Sequence, residues 1–84
     1  MTYKISILHK AQKQLAKIPA SDYKKVKQAI LDLAQDPRPP GSEKLKGRPG
    51  WRIRQGNYRV IYEIQDNQLI VLVMDVGDRK DIYR

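Results

Sequence analysis

The sequence predicts an α+β domain, a small twisted antiparallel sheet of about four strands with two N-terminal helices packed on one face. Three observations carry this. Apolar residues recur at helical spacing only between His9 and about Gln35. Alternating or continuous apolar runs, the mark of strands, occupy residues 3–8 and most of the chain after Trp51. Between the two regimes lies 37-PRPPGSEKLKGRPG-50, whose prolines and glycines forbid a regular element. At 84 residues, without an internal repeat or a low-complexity tract, the chain reads as one domain over 1–84.

Each element has its own warrant. In 3-YKISIL-8, Tyr3, Ile5 and Ile7 alternate with Lys4 and Ser6, which predicts a first strand. Ala11, Leu15 and Ile18 then fall on one helical stripe, with lysines between them, and Pro19 ends that helix. Ser21 is a natural N-cap for a second helix, with Asp22 in its first turn. Tyr23, Val26, Ile30 and Leu33 form its buried stripe, and Asp36-Pro37 closes it. Trp51 to Gln55 and Tyr58 to Gln65 read as a hairpin about Gly56-Asn57. Asp66-Asn67 turns the chain again into 69-LIVLVMDV-76, a run apolar enough to be buried on both faces. Short turns force these three strands into a meander, and the first strand joins the same sheet beside the long apolar run.

The formal net charge is +8, a strong bias for so short a chain, and it predicts a polyanionic partner. The cations are also mostly sorted by type, lysine in the first half and arginine in the second. Lys4, Lys10, Lys13, Lys17, Lys24, Lys25 and Lys27 stand in the first half; Arg48, Arg52, Arg54, Arg59, Arg79 and Arg84 stand in the second. Lysine suits a solvated helix surface, whereas the planar arginine fork suits phosphate. There is no cysteine, no charged-then-apolar leader and no run long enough to span a bilayer, so a cytoplasmic domain without a membrane is expected. One histidine and scattered acids offer no metal site, and no glycine-rich loop precedes a helix. No metal and no cofactor is expected.

The stretch 51-WRIRQGNYRVIY-62 gathers the chemistry. Strand parity puts Arg52 and Arg54 on one face, opposite Trp51 and Ile53. Arg59 follows the turn, in a register that the sequence leaves open. Like charges on neighbouring strands destabilise a sheet. A sheet that collects them without interleaved acids is expected to hold an anion on the face the helices leave open.

These residues also carry a resemblance. The segments 9-HKAQKQLAKIP-19, 44-KLKGRPGWRIRQGNYRVIYEI-64 and 76-VGDRKDIYR-84 resemble the RelE toxins of the RelE/ParE superfamily of toxin–antitoxin pairs. The central W-R-(I/V)-R-x-G-x-Y-R-V pattern is its most specific part. The resemblance implies a ribosome-dependent endoribonuclease that cuts mRNA in the ribosomal A site by attack of a 2′-hydroxyl on the adjacent phosphate. It implies a RelB-like antitoxin as hetero-oligomeric partner, with the ribosome and mRNA as targets. Its site residues fall on Arg54, Arg59, Arg79 and Tyr83 as catalytic groups, and Arg52 with Lys44, Lys46 and Arg48 as RNA-binding ones. In that scheme Arg59 clamps the phosphate, Arg79 neutralises the leaving 5′-oxygen and Tyr83 stacks on a base.

Two departures from the family pattern matter. Arg54 stands where some members carry a lysine that serves as general base; arginine keeps its proton, so its part here is electrostatic and the base is unassigned. Asp78 stands where many members have histidine, and a carboxylate there draws on the charge of Arg79. The alternatives are the sister branch, ParE, which poisons DNA gyrase, and a non-catalytic RNA- or phosphate-binding module.

Overall fold

A computed structural model describes residues 2–78 of the chain. Strand β1 (Lys4–Ile7) is followed by helices α1 (His9–Ala16) and α2 (Ala20–Asp32). A two-residue strand β2 (Glu43–Lys44) precedes β3 (Trp51–Gln55), β4 (Tyr58–Gln65) and β5 (Ile70–Asp78), with a 3-10 turn at Asp66–Gln68. The sheet runs β1-β5-β4-β3-β2. It has five strands rather than about four, and it is mixed: β1 pairs with β5 in parallel, while the other three pairings are antiparallel. The expected α+β layering and the place of β1 beside the last strand hold. The fifth strand is β2, inside the stretch expected to be irregular, where it pairs with β3 for two residues only.

Helix α2 starts at Ala20, not after Ser21. The Pro19 carbonyl accepts the Tyr23 N–H at 2.8 Å, so proline itself occupies the cap and Ser21 falls within the first turn. The β4–β5 connection lacks glycine, and Leu69 takes the left-handed backbone there, with φ 53°. One core runs between the helices and one sheet face. Ala11 and Leu15 from α1 and Val26 and Ile30 from α2, with Leu33 just beyond it, meet Ile53, Val60, Tyr62, Val71, Val73 and Val76. The β1–β5 ladder ends at Val73, and α1 takes over beyond it. There the Val76 N–H donates to Gln14 Oε1 at 2.8 Å, while Gln14 Nε2 donates to Asp75 Oδ1 at 2.7 Å. A side-chain amide thus satisfies a sheet edge that would otherwise be open.

Gly50 is the point where the loop meets the sheet. Its φ is +123°, and a Cβ there would lie 3.2 Å from the Tyr62 carbonyl oxygen, so only glycine lets the chain enter β3 so closely. Tyr62 is fully buried and its hydroxyl donates to the Pro37 carbonyl at 2.7 Å, tying the loop to β4. Burial pushes its phenol up to about 12 from an ordinary 10. The folded group keeps its proton where the unfolded chain loses it, so this contribution is intact below pH 10 and is lost as pH rises towards 12. At about 1.4 kcal/mol per pKa unit, the full loss is about 2–3 kcal/mol. Tyr62→Phe should start about 1 kcal/mol less stable at neutral pH. Urea melts at stepped pH should then show a shallower alkaline decline than wild type. Parallel declines would mean that the buried phenol ionises as readily as a free one.

Candidate functional site

The face away from the helices is built by two rows across the strands. Gly56-Asn57, with Gly56 at φ 61°, closes the hairpin so that Gln55 pairs with Tyr58. That register sets Arg54 directly opposite Arg59, and Arg59 in turn opposite Gly77 of β5. One pleat further along β3, Glu43, Arg52, Ile61 and Asp75 form the second row. Two arginines on adjacent strands therefore stand side by side, the close approach that the sequence left open. Arg54 is exposed, whereas Arg59 is 1 % exposed. A charged side chain so deep is uncommon, and it is held in the middle strand of the sheet.

The second row brings an acid that sequence reasoning missed. Arg52 Nη2 is ion-paired with Glu43 Oε2 across the β2–β3 ladder. The expectation of arginines without interleaved acids is corrected at this position. Glu43 lies in a loop-like stretch, and only the register of a two-residue strand reveals it as a neighbour of Arg52. A hollow of about 380 Å³ beside this pair is lined by Glu43, Arg54, Ile53, Pro40 and Gly41.

The other basic candidates are placed elsewhere. Lys44 pairs with Trp51, so it points away from Glu43 and the arginine rows. Lys46 and Arg48 are exposed on the approach to β3. Arg48 lines a separate groove of about 550 Å³ on the α1 side, with Lys10, Lys17, Tyr58 and Asp78. Arg79 and Tyr83 lie outside the described residues. Asp75 is ion-paired towards α1, with Lys10 Nζ 3.3 Å from its Oδ2.

Arg38, which was not singled out, has a scaffolding part. Its guanidinium reaches Asp66 Oδ2 at 2.9 Å and lies over the Trp51 ring, 5.3 Å from its centroid. Tyr3 donates to Asp66 Oδ1 at 2.6 Å. Hydrogen bonds from Arg38 and then Tyr3 hold the Asp66 carboxyl below its usual range. This cluster pins the start of β1, the loop after α2 and the β4–β5 turn to one another, and it leaves Arg38 engaged away from the arginine rows.

A two-helix cap on one sheet face and clustered arginines on the other define a small basic α+β scaffold with an anion-binding face, and comparison with known proteins gives its class. A family model described as the ParE toxin of the type II toxin–antitoxin system, parDE, matches residues 5–83. The chain belongs to this toxin family, and its resemblance is to RelE-type members. It is 31% identical over 86 residues to Toxin RelG of Mycobacterium tuberculosis, spanning 100% of this chain and 99% of that protein. It is 26% identical over 88 residues to the mRNA interferase toxin RelE of Escherichia coli strain K12, spanning 99% of this chain and 92% of that protein. The toxin fold recurs in the archaeal RelE–RelB complex from Pyrococcus horikoshii OT3, with a TM-score of 0.83 and 27% identity over 94% of this chain and 97% of that one. The RelBE2 complex of M. tuberculosis shares the fold with a TM-score of 0.84 at 24% identity, over 94% of this chain and 100% of that one.

Proposed function

We propose that this protein is the toxin of a type II toxin–antitoxin pair and a ribosome-dependent endoribonuclease that cuts mRNA in the A site. The observation that carries the reading is the Arg54–Arg59 pair, with Arg52 one pleat away, on the face opposite the helices. Such a pair costs sheet stability, and a phosphodiester is the ligand that repays it. When the 2′-oxygen attacks, negative charge spreads over the phosphoryl oxygens. Guanidinium groups fixed by strand backbone are oriented before the reaction starts, so no reorganisation is spent at the transition state. Arg59 holds the reacting phosphate and Arg54 and Arg52 hold the flanking backbone. Arg79 and Tyr83, further along the same chain, act on the leaving oxygen and the base. Relatives named mRNA interferase support the activity, and solved RelE–RelB complexes support a RelB-like antitoxin as partner. The lysines of α1 and α2 offer that antitoxin, an acidic chain, a complementary surface.

The described residues include no helix long and apolar enough to cross a membrane. With ribosomes as target, the working compartment is the cytoplasm. The reading is tested by primer extension on a defined mRNA in a purified translation system, with and without ribosomes. New ends within the A-site codon are expected only with ribosomes, and they should be lost in Arg79→Ala. Intact mRNA with folded wild-type protein would sink the nuclease reading and turn attention to DNA gyrase.

A further inference from the structure

We infer that Glu43 is the general base of the cleavage, taking the proton of the attacking 2′-hydroxyl; this rests on the nuclease reading above. That reading leaves one chemical part unfilled. A 2′-hydroxyl must lose its proton as it attacks, and the arginines themselves are donors only. Something beside them has to accept.

Position singles out Glu43. It is the direct ladder partner of Arg52 and shares a hollow with Arg54, the exposed member of the Arg54–Arg59 pair. Strands in a sheet lie about 4.8 Å apart and alternate residues about 7 Å apart. A nucleotide whose reacting phosphate lies on the Arg54–Arg59 row, with its ribose over the Arg52 row one pleat away, therefore brings its 2′-hydroxyl towards this carboxylate. Glu43 is also accessible, with its side chain 59% exposed, whereas that of Arg52 is 15% exposed. The ion pair engages Oε2 and so sets the direction of the whole carboxylate from a shielded guanidinium. A base held by a positioned cation is oriented before the substrate arrives.

The other described acids are elsewhere. Asp75 begins the far end of the same row but is bonded to Lys10 and Gln14 of α1. Asp66 is bonded to Arg38 and Tyr3. Glu63 lies four residues along β4 from Arg59, about 13 Å at strand rise, and pairs with Leu72. Asp78 pairs with Tyr58, on the opposite face from Arg59. Asp22 and Asp32 are on α2, and Asp36 caps the Arg38 N–H after it.

In the step, the 2′-oxygen bonds to the adjacent phosphorus and gives its proton to a Glu43 oxygen. The P–O5′ bond breaks, and the departing oxygen keeps the electron pair and takes a proton from solvent. The products are a 2′,3′-cyclic phosphate end and a 5′-hydroxyl end, and Glu43 returns its proton to water.

The test is single-turnover cleavage of A-site mRNA on programmed ribosomes at saturating toxin. Glu43→Gln keeps a hydrogen-bond acceptor for Arg52 but loses the basic oxygen. It should bind ribosomes like wild type and cleave at least about 100-fold more slowly, within the range a general base contributes. Glu43→Ala should regain part of its rate when formate is added, because a small base can enter the vacated space. A Glu43→Gln rate within a factor of a few of wild type overturns the proposal and leaves the nuclease reading standing. So does a slow Glu43→Ala that formate does not help while Arg52→Ala reproduces its defect, since Glu43 would then only position Arg52. A folded wild type that cuts nothing overturns both.

Discussion

Arg59→Lys is expected to lower ribosome-dependent cleavage by about 10²–10³ while the protein stays folded. The substitution keeps a positive charge and an aliphatic stem at a position that is almost wholly enclosed. It removes the planar fork proposed to meet two phosphoryl oxygens at once, which an ammonium group cannot copy. Enclosure is what makes the effect large. Arg59 is 1% exposed in the middle strand of the sheet, so its guanidinium has little freedom to reorient. Single-turnover rates should drop, while urea melts stay within about 1–2 kcal/mol of wild type. A lysine variant that cuts at the wild-type rate would show that Arg59 contributes charge alone, and the phosphate clamp would have to be sought at Arg54.

Ile30→Ala should destabilise the domain by about 2–5 kcal/mol. Ile30 is 1% exposed and sits on α2 between Val26 and Leu33, the residues that hold this helix to the sheet. For a chain of this length the whole folding free energy is about 4–13 kcal/mol. The loss therefore takes a large share of it, and a substantial unfolded population is expected at physiological temperature. The neighbouring residue supplies the control. Leu31 is 46% exposed, so Leu31→Ala should stay within about 0.5 kcal/mol of wild type. Equal melting midpoints for the two variants would mean that α2 is not anchored by its apolar stripe.

The hairpin was legible to the residue. The bounds Trp51–Gln55 and Tyr58–Gln65 follow from alternation and from a Gly-Asn turn, both local properties of the chain. The two helices were legible in kind, and α1 in its start at His9, but the start of α2 was not, because Pro19 capped it in place of the more usual serine. What could not be read was anything set by a distant partner. Glu43 and Lys44 form a strand only because β3 lies beside them. Parallel pairing of β1 with β5 is likewise a decision of the assembled sheet. At the site, parity predicted which arginines share a face. The burial of Arg59, the opposition of Arg54 and the acid beside Arg52 needed the register.

The pairing of β1 with β5 also bears on when the protein becomes active. Lys4 lies against Ile70 and Ile7 against Val73, so the first strand made waits for the last one. The order of synthesis keeps the nascent chain incomplete until β5 has left the exit tunnel. Contacts between chain ends are slow to form, and closing the sheet is therefore a late event in folding. The Arg59–Gly77 register depends on the same final strand. On the proposed reading, a toxin aimed at ribosomes is thereby completed only after β5 has emerged from the ribosome making it, and an antitoxin made alongside has the whole of that interval in which to bind.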